Sequence, residues 1–174
     1  MTMRNKKALS EVVSTVLILA LTIVMAGIVW AVVNGLVKEK VSETESCFNT
    51  FGKVTINSRY TCYNSSSNEL QFSIDVGDIS LNEVIVGIST SGTSLSFRLN
   101  SEGSQIANLV NYPTRSTNIK IPEKNAGLTY ILDMDGAGLP GTPNSIRIAP
   151  VVGNDQCEVS DSLEEIDNCA AFIP

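Results

Sequence analysis

From Val12 to Val37 the chain carries no charged side chain. A bilayer core of ~30 Å is crossed by about 20 apolar residues. A helix over these 26 positions is roughly 39 Å long at ~1.5 Å per residue. Fifteen of them are Leu, Ile or Val, each contributing about −0.3 to −0.6 kcal/mol of insertion free energy near a helix centre. That sum outweighs the polar Thr15, Thr22 and Asn34, so the segment is expected to be a membrane-spanning helix. The rest of the chain must then be read as what such a helix carries.

The flanks set an expected direction. Arg4, Lys6 and Lys7 precede the run, whereas Lys38 and Lys40 follow it among Glu39, Glu43 and Glu45. Acids count for little in topology, so three basic residues against two place the N-terminus inside and the remainder outside. An ordinary secretory signal has an apolar core of ~7–15 residues and a small-x-small cleavage site beyond it. This run is longer, and Val37-Lys38-Glu39-Lys40 lacks that site, so the segment is expected to be retained. On these grounds alone it could be a plain signal anchor.

The stretch Lys6–Val33, KKALSEVVSTVLILALTIVMAGIVWAVV, resembles the N-terminus of archaeal type IV pilins and archaellins. Those precursors carry a basic leader that ends in Lys or Arg followed by Gly or Ala. The resemblance implies a prepilin peptidase cut between Ala8 and Leu9, with Lys7 and Ala8 as the recognised pair. It divides the chain into a leader (1–8), a hydrophobic helix (9–46) that spans the membrane and then forms a filament core, and an external head (47–174). It implies further partners: copies of the chain itself, an assembly ATPase and a platform membrane protein. Bacterial pilins resemble the segment less, because they place an acid fifth in the mature chain. The only early acid here, Glu11, would be third. Glu11 has three readings: an interface charge, a partner for the new amine of a neighbouring Leu9, or a residue read by the peptidase.

The span itself suits a building block. It is apolar on every face, as expected of a helix surrounded by lipid or by its own copies. Gly27, Ala31 and Gly35 recur every four residues on one stripe, and small residues at that spacing let helices approach closely. Ser14 and Thr22 are expected to bond back to helix carbonyls or to bridge helices.

Beyond Val37 the helix is expected to continue through KEKVSETES and to end at Ser46 or Cys47. Period-two alternation follows. Val54 and Ile56 share a face, as do Leu70, Phe72, Ile74 and Val76, and again Leu95, Phe97 and Leu99. EVIVGIST, NIKIP, LTYILDM and SIRIAPVV complete seven or eight candidate strands, and Ser91-Gly92 predicts a hairpin between the third and fourth. The expected fold class is therefore α+β: a long N-terminal hydrophobic helix, then an antiparallel immunoglobulin-like β-sandwich. Asn100 to Ile119 reads as a long loop or a short strand with turns. In the last segment, Ser160 or Asp161 with Glu164 predicts a capped helical turn.

The chain has four cysteines, Cys47, Cys62, Cys157 and Cys169. An even count in an exported domain predicts disulfides. Three pairings are possible, and we expect the local one, with Cys157 pinning back Cys169. Zinc is disfavoured, because close C-x₂₋₄-C pairs are absent. Asn64-Ser65-Ser66 is the one N-x-[ST] match and a candidate glycan acceptor.

Composition bears on function as well. The chain is −6 overall, and removal of residues 1–8 leaves nine basic and eighteen acidic residues, a net of −9. Such a surface repels nucleic acid. There is no His, which excludes His-dependent triads and His metal sites. Asp133-x-Asp135-Gly136 lacks the remaining ligands of a calcium loop and reads as a turn. No phosphate-binding glycine loop appears, and no cofactor is expected. The expected function is structural rather than enzymatic: a subunit of a type IV pilus-like filament on the cell surface, whose precursor sits in the cytoplasmic membrane, used for adhesion. The alternatives are an archaellin of a swimming filament and a monomeric membrane-anchored binding protein.

Overall fold

A computed structural model describes residues 4–153 and 155–169, with side chains described for 12–38, 47–153 and 155–169. The chain divides between Thr44 and Glu45 into two compact units.

The described residues of the first unit all belong to helix α1, Arg4–Phe48, 45 residues long. No proline occurs before Pro113, and Val, Leu, Ala and Ile dominate the run. The helix stops at Phe48, one or two residues beyond the expected end at Ser46 or Cys47. There Thr50 turns back on Cys47, with its N–H 3.0 Å and its hydroxyl 2.7 Å from the Cys47 carbonyl. Gly52 then takes the left-handed conformation at φ 69°, which a side chain would resist.

The second unit contains two antiparallel sheets. In chain order the strands are β1 (Val54–Ile56), β2 (Cys62–Asn64), β3 (Glu69–Val76), β4 (Glu83–Thr90), β5 (Ser94–Asn100), β6 (Leu109–Asn111), β7 (Ala126–Asp133), β8 (Pro143–Val152), β9 (Asp155–Gln156) and β10 (Asp161–Leu163). One sheet has the order β1-β3-β7-β6, with β2 also on β3; the other has the order β10-β8-β4-β5, with β9 also on β8. The chain is thus α+β.

Alternation fills the core between the sheets. Leu70, Phe72 and Ile74 of β3 are fully buried, as are Val84, Val86 and Ile88 of β4. Register sets Phe72 opposite Tyr130 and Val86 opposite Ile148. The Phe72 ring lies 5.2 Å from that of Tyr130 in its own sheet and 6.3 Å from that of Phe97 in the other. Tyr130 is fully buried, and its hydroxyl donates to the Lys120 carbonyl. Burial pushes its phenol well above the usual tyrosine range.

Several expectations are corrected. The first candidate strand is broken in two. Asn57 accepts from the Arg59 N–H at 3.2 Å and Thr61 donates to the Asn57 carbonyl at 2.8 Å, and these bonds hold a one-turn helix at Ser58–Tyr60. Local side-chain bonding of this kind competes with strand pairing. NIKIP forms no strand; Ile119 makes a single bridge to Ser104. Among the described residues no helical turn is capped by Ser160 or Asp161, because Asp161–Leu163 pairs with Ile146–Ile148 as a strand. The side chains expected to cap it tie the sheets together instead. Asp161 accepts from the Ile56 N–H at 2.8 Å, and Ser160 donates to the Val54 carbonyl at 2.7 Å. Glu164 pairs with Arg147 at 3.2 Å.

The local disulfide pairing is also overturned. Cys47 is bonded to Cys157 and Cys62 to Cys169, across separations of 110 and 107 residues. A Cys157–Cys169 bond would need the residues between them to fold back. They instead run as a strap along β8 and β1, and deliver Cys169 to β2.

Candidate functional site

The feature with the strongest functional implication is the apolar part of α1. Val12–Lys38, 27 residues, is long and apolar enough to cross a membrane. Its large hydrophobic side chains are exposed all round, from 46% for Val33 to 71% for Ile23. Trp30 stands 70% exposed. Such a surface is disfavoured in water and is compatible with a membrane anchor or a signal sequence.

Its polar side chains are matched to an apolar surrounding. The Thr15 hydroxyl donates to the Val12 carbonyl at 2.9 Å, and that of Thr22 to the Leu19 carbonyl at 2.8 Å. Both are satisfied within the helix and need no water. Gly27 and Gly35 have open space where a Cβ would stand, and Ala31 is exposed between them. The three therefore form a shallow strip where another helix backbone could come close. Lys7, Ala8, Leu9 and Glu11 have helical backbone within α1; their side chains lie outside the described residues.

The second unit offers little chemistry. Among the described residues no three His, Cys, Asp or Glu side chains are grouped so as to hold a metal. Asp133–Gly136 forms a turn closed by the Gly136 N–H donating to Asp133 Oδ1 at 3.1 Å. A cavity of about 460 Å³ opens beside Leu81, Lys120, Pro122, Glu123 and Leu128. Lys124, on its wall, is held by Asp78 at 2.7 Å. That ion pair, led by a hydrogen bond from Lys124, keeps the Asp78 carboxyl below its usual range.

Asn64 ends β2, half-exposed, beside the exposed Ser65 and Ser66. Two features of this unit escaped the sequence reading. One is the strap Cys157–Cys169, which besides β8 is tied to β1 and β2 more than 100 residues away. The other is a pair of exposed aromatics at the start of the unit, Phe48 at 79% and Phe51 at 80%. The spacing Phe48-Asn49-Thr50-Phe51 signals them only once the helix end is known. A scan against protein-family models, a search of curated proteins and a search of solved structures each found no match to this chain.

Proposed function

We propose that the chain is the structural subunit of an extracellular filament of the type IV pilus kind. It assembles through α1 and displays the two-sheet unit outward. The observation that carries this reading is the 27-residue span with its apolar side chains exposed on every side. In the precursor, lipid covers that surface. In a filament, copies of the same helix cover it. Apolar burial is similar in both settings, so close packing along Gly27, Ala31 and Gly35 must supply the difference.

The resemblance of Lys6–Val33 to archaeal pilin and archaellin precursors supports cleavage after Ala8, with Leu9 opening the mature chain. On this reading a prepilin peptidase removes the leader inside the cell. An assembly ATPase and a platform membrane protein then lift the helix out of the bilayer. The head is taken as an immunoglobulin-like sandwich in the loose sense, two antiparallel sheets over one core. Two disulfides fit an oxidising exterior. Adhesion is the favoured use, because the outward loops rich in Ser, Thr and Asn present polar contacts and no catalytic group.

The test is mass spectrometry of material sheared from the cell surface. The expected result is fibres containing a chain that begins at Leu9. Intact residues 1–8, with all of the protein in the membrane fraction, would instead establish a monomeric anchor.

A further inference from the structure

The sequence Asn64-Ser65-Ser66 acquires a second meaning from the strap. Asn64 closes a hairpin, with Asn64 opposite Glu69 across β2 and β3. Its carboxamide oxygen accepts from the Ser66 N–H at 3.0 Å. The other edge of β2 is held by the strap. The Tyr63 N–H donates to the Asp167 carbonyl at 2.8 Å, Asn168 donates to the Ser65 hydroxyl at 3.1 Å, and Cys62 is bonded to Cys169. The acceptor peptide is thus gripped on both sides. An enzyme that modifies Asn64 must enclose that peptide and reach both its carboxamide and the hydroxyl two residues on. The closed strap occupies one edge of that peptide, at Cys62, Tyr63 and Ser65.

We infer that Asn64 is an N-glycan acceptor gated by the C-terminal strap, modified while the Cys62–Cys169 bond is still open and closed to modification afterwards. The donor is a polyisoprenyl phosphate- or diphosphate-linked oligosaccharide. The Asn64 nitrogen forms a bond to the anomeric carbon, and the bond from that carbon to the phosphate oxygen breaks. One amide proton leaves with the phosphate, and no electrons are exchanged. Chain order provides the window. Cys169 follows Cys62 by 107 residues, so at ~5–20 residues per second of synthesis the acceptor is made roughly 5–20 s before the strap can close. The helix meanwhile tethers the acceptor near the membrane that holds a lipid-linked donor. This inference rests on the outward-facing topology proposed above, but not on filament assembly.

The test uses the full chain in detergent, prepared without glycan. Membranes from the cell that makes the protein supply donor and transferase. Oxidised wild type, a C62S/C169S double variant, N168A and N64Q are compared by intact mass and peptide mapping. The double variant is expected to gain a glycan at Asn64 at least ten times faster than oxidised wild type, and N64Q to gain none. N168A keeps both disulfides, removes the Asn168 donation to the Ser65 hydroxyl, and is expected to react at an intermediate rate. Equal rates for wild type and the double variant, or an N168A rate no higher than wild type, would overturn the gate. Unmodified Asn64 in native cells whose chains carry both disulfides would overturn the site. Native chains with four reduced cysteines would overturn the topology beneath it. Whether fibres contain the chain is read separately and leaves these outcomes distinguishable.

Discussion

Tyr130 concentrates the residue-scale physics of the head. Its ring packs on Phe72 and its hydroxyl reaches the Lys120 carbonyl from a buried position. Y130F removes the donor and strands that carbonyl, with an expected loss of about 1–2 kcal/mol in urea unfolding. The pH dependence has a definite sign. The folded-state pKa is raised above the ordinary value of 10.0. The stabilisation is therefore complete below pH ~10 and is lost as the pH rises toward the folded value, because the unfolded chain releases the proton first. Stability should fall from about pH 10 upward, and Y130F should flatten that part of the profile. Gly136 is a second sensitive point. A Cβ there would lie 2.6 Å from both Asn108 Oδ1 and Asp133 Oδ2. G136A is expected to destabilise by ~1–3 kcal/mol through overpacking, visible as a lowered Tm.

Among the elements, α1 and the strap behave in opposite ways. The helix is specified locally, since every stretch of Val12–Val37 is apolar and no breaker interrupts it. Its proposed role predicts a separation of insertion from assembly. G27L with G35L should still insert, because leucine favours the bilayer, yet should reduce fibre yield at least ten-fold by blocking close approach. The readouts are membrane fractionation and electron microscopy of sheared material; normal fibres from that variant would refute the small-residue strip. A8W should leave the leader attached, seen as a heavier chain by mass spectrometry. The strap, by contrast, pairs with β8 nearby in sequence but is also tied by contacts more than 100 residues apart, such as Ser160 to Val54 and Asn168 to Ser65.

For the molecule as a whole, the disulfides decide how the head is closed. Each links the start of the head to its last segment, with Cys47 on the helix end and Cys62 on β2. Loops of about 100 residues constrain the unfolded chain more than short ones do, by ~4.7 kcal/mol each in the chain-entropy model. The two interleave, so their effects do not add fully. C62S/C169S is expected to cost about 2–5 kcal/mol in denaturant unfolding. Digestion without reduction should release peptides joining Cys47 to Cys157 and Cys62 to Cys169. A peptide joining Cys157 to Cys169 would contradict the observed closure.

What the residues determined by themselves was whatever depends on near neighbours. The apolar span, the strands at Glu69–Val76, Glu83–Thr90 and Ser94–Asn100, and the turn at Ser91-Gly92 all follow from periodicity and turn chemistry within a dozen positions. The small strands β6, β9 and β10 have three residues or fewer, too short for a period to register. Tertiary structure alone decided which cysteines meet, because that depends on where β8 delivers the strap. It decided, too, that Asp161 and Ser160 tie two sheets instead of capping a helix. A side chain's preference for a cap is worth about 1 kcal/mol, and a strand already offering unpaired backbone groups on both sides outweighs it.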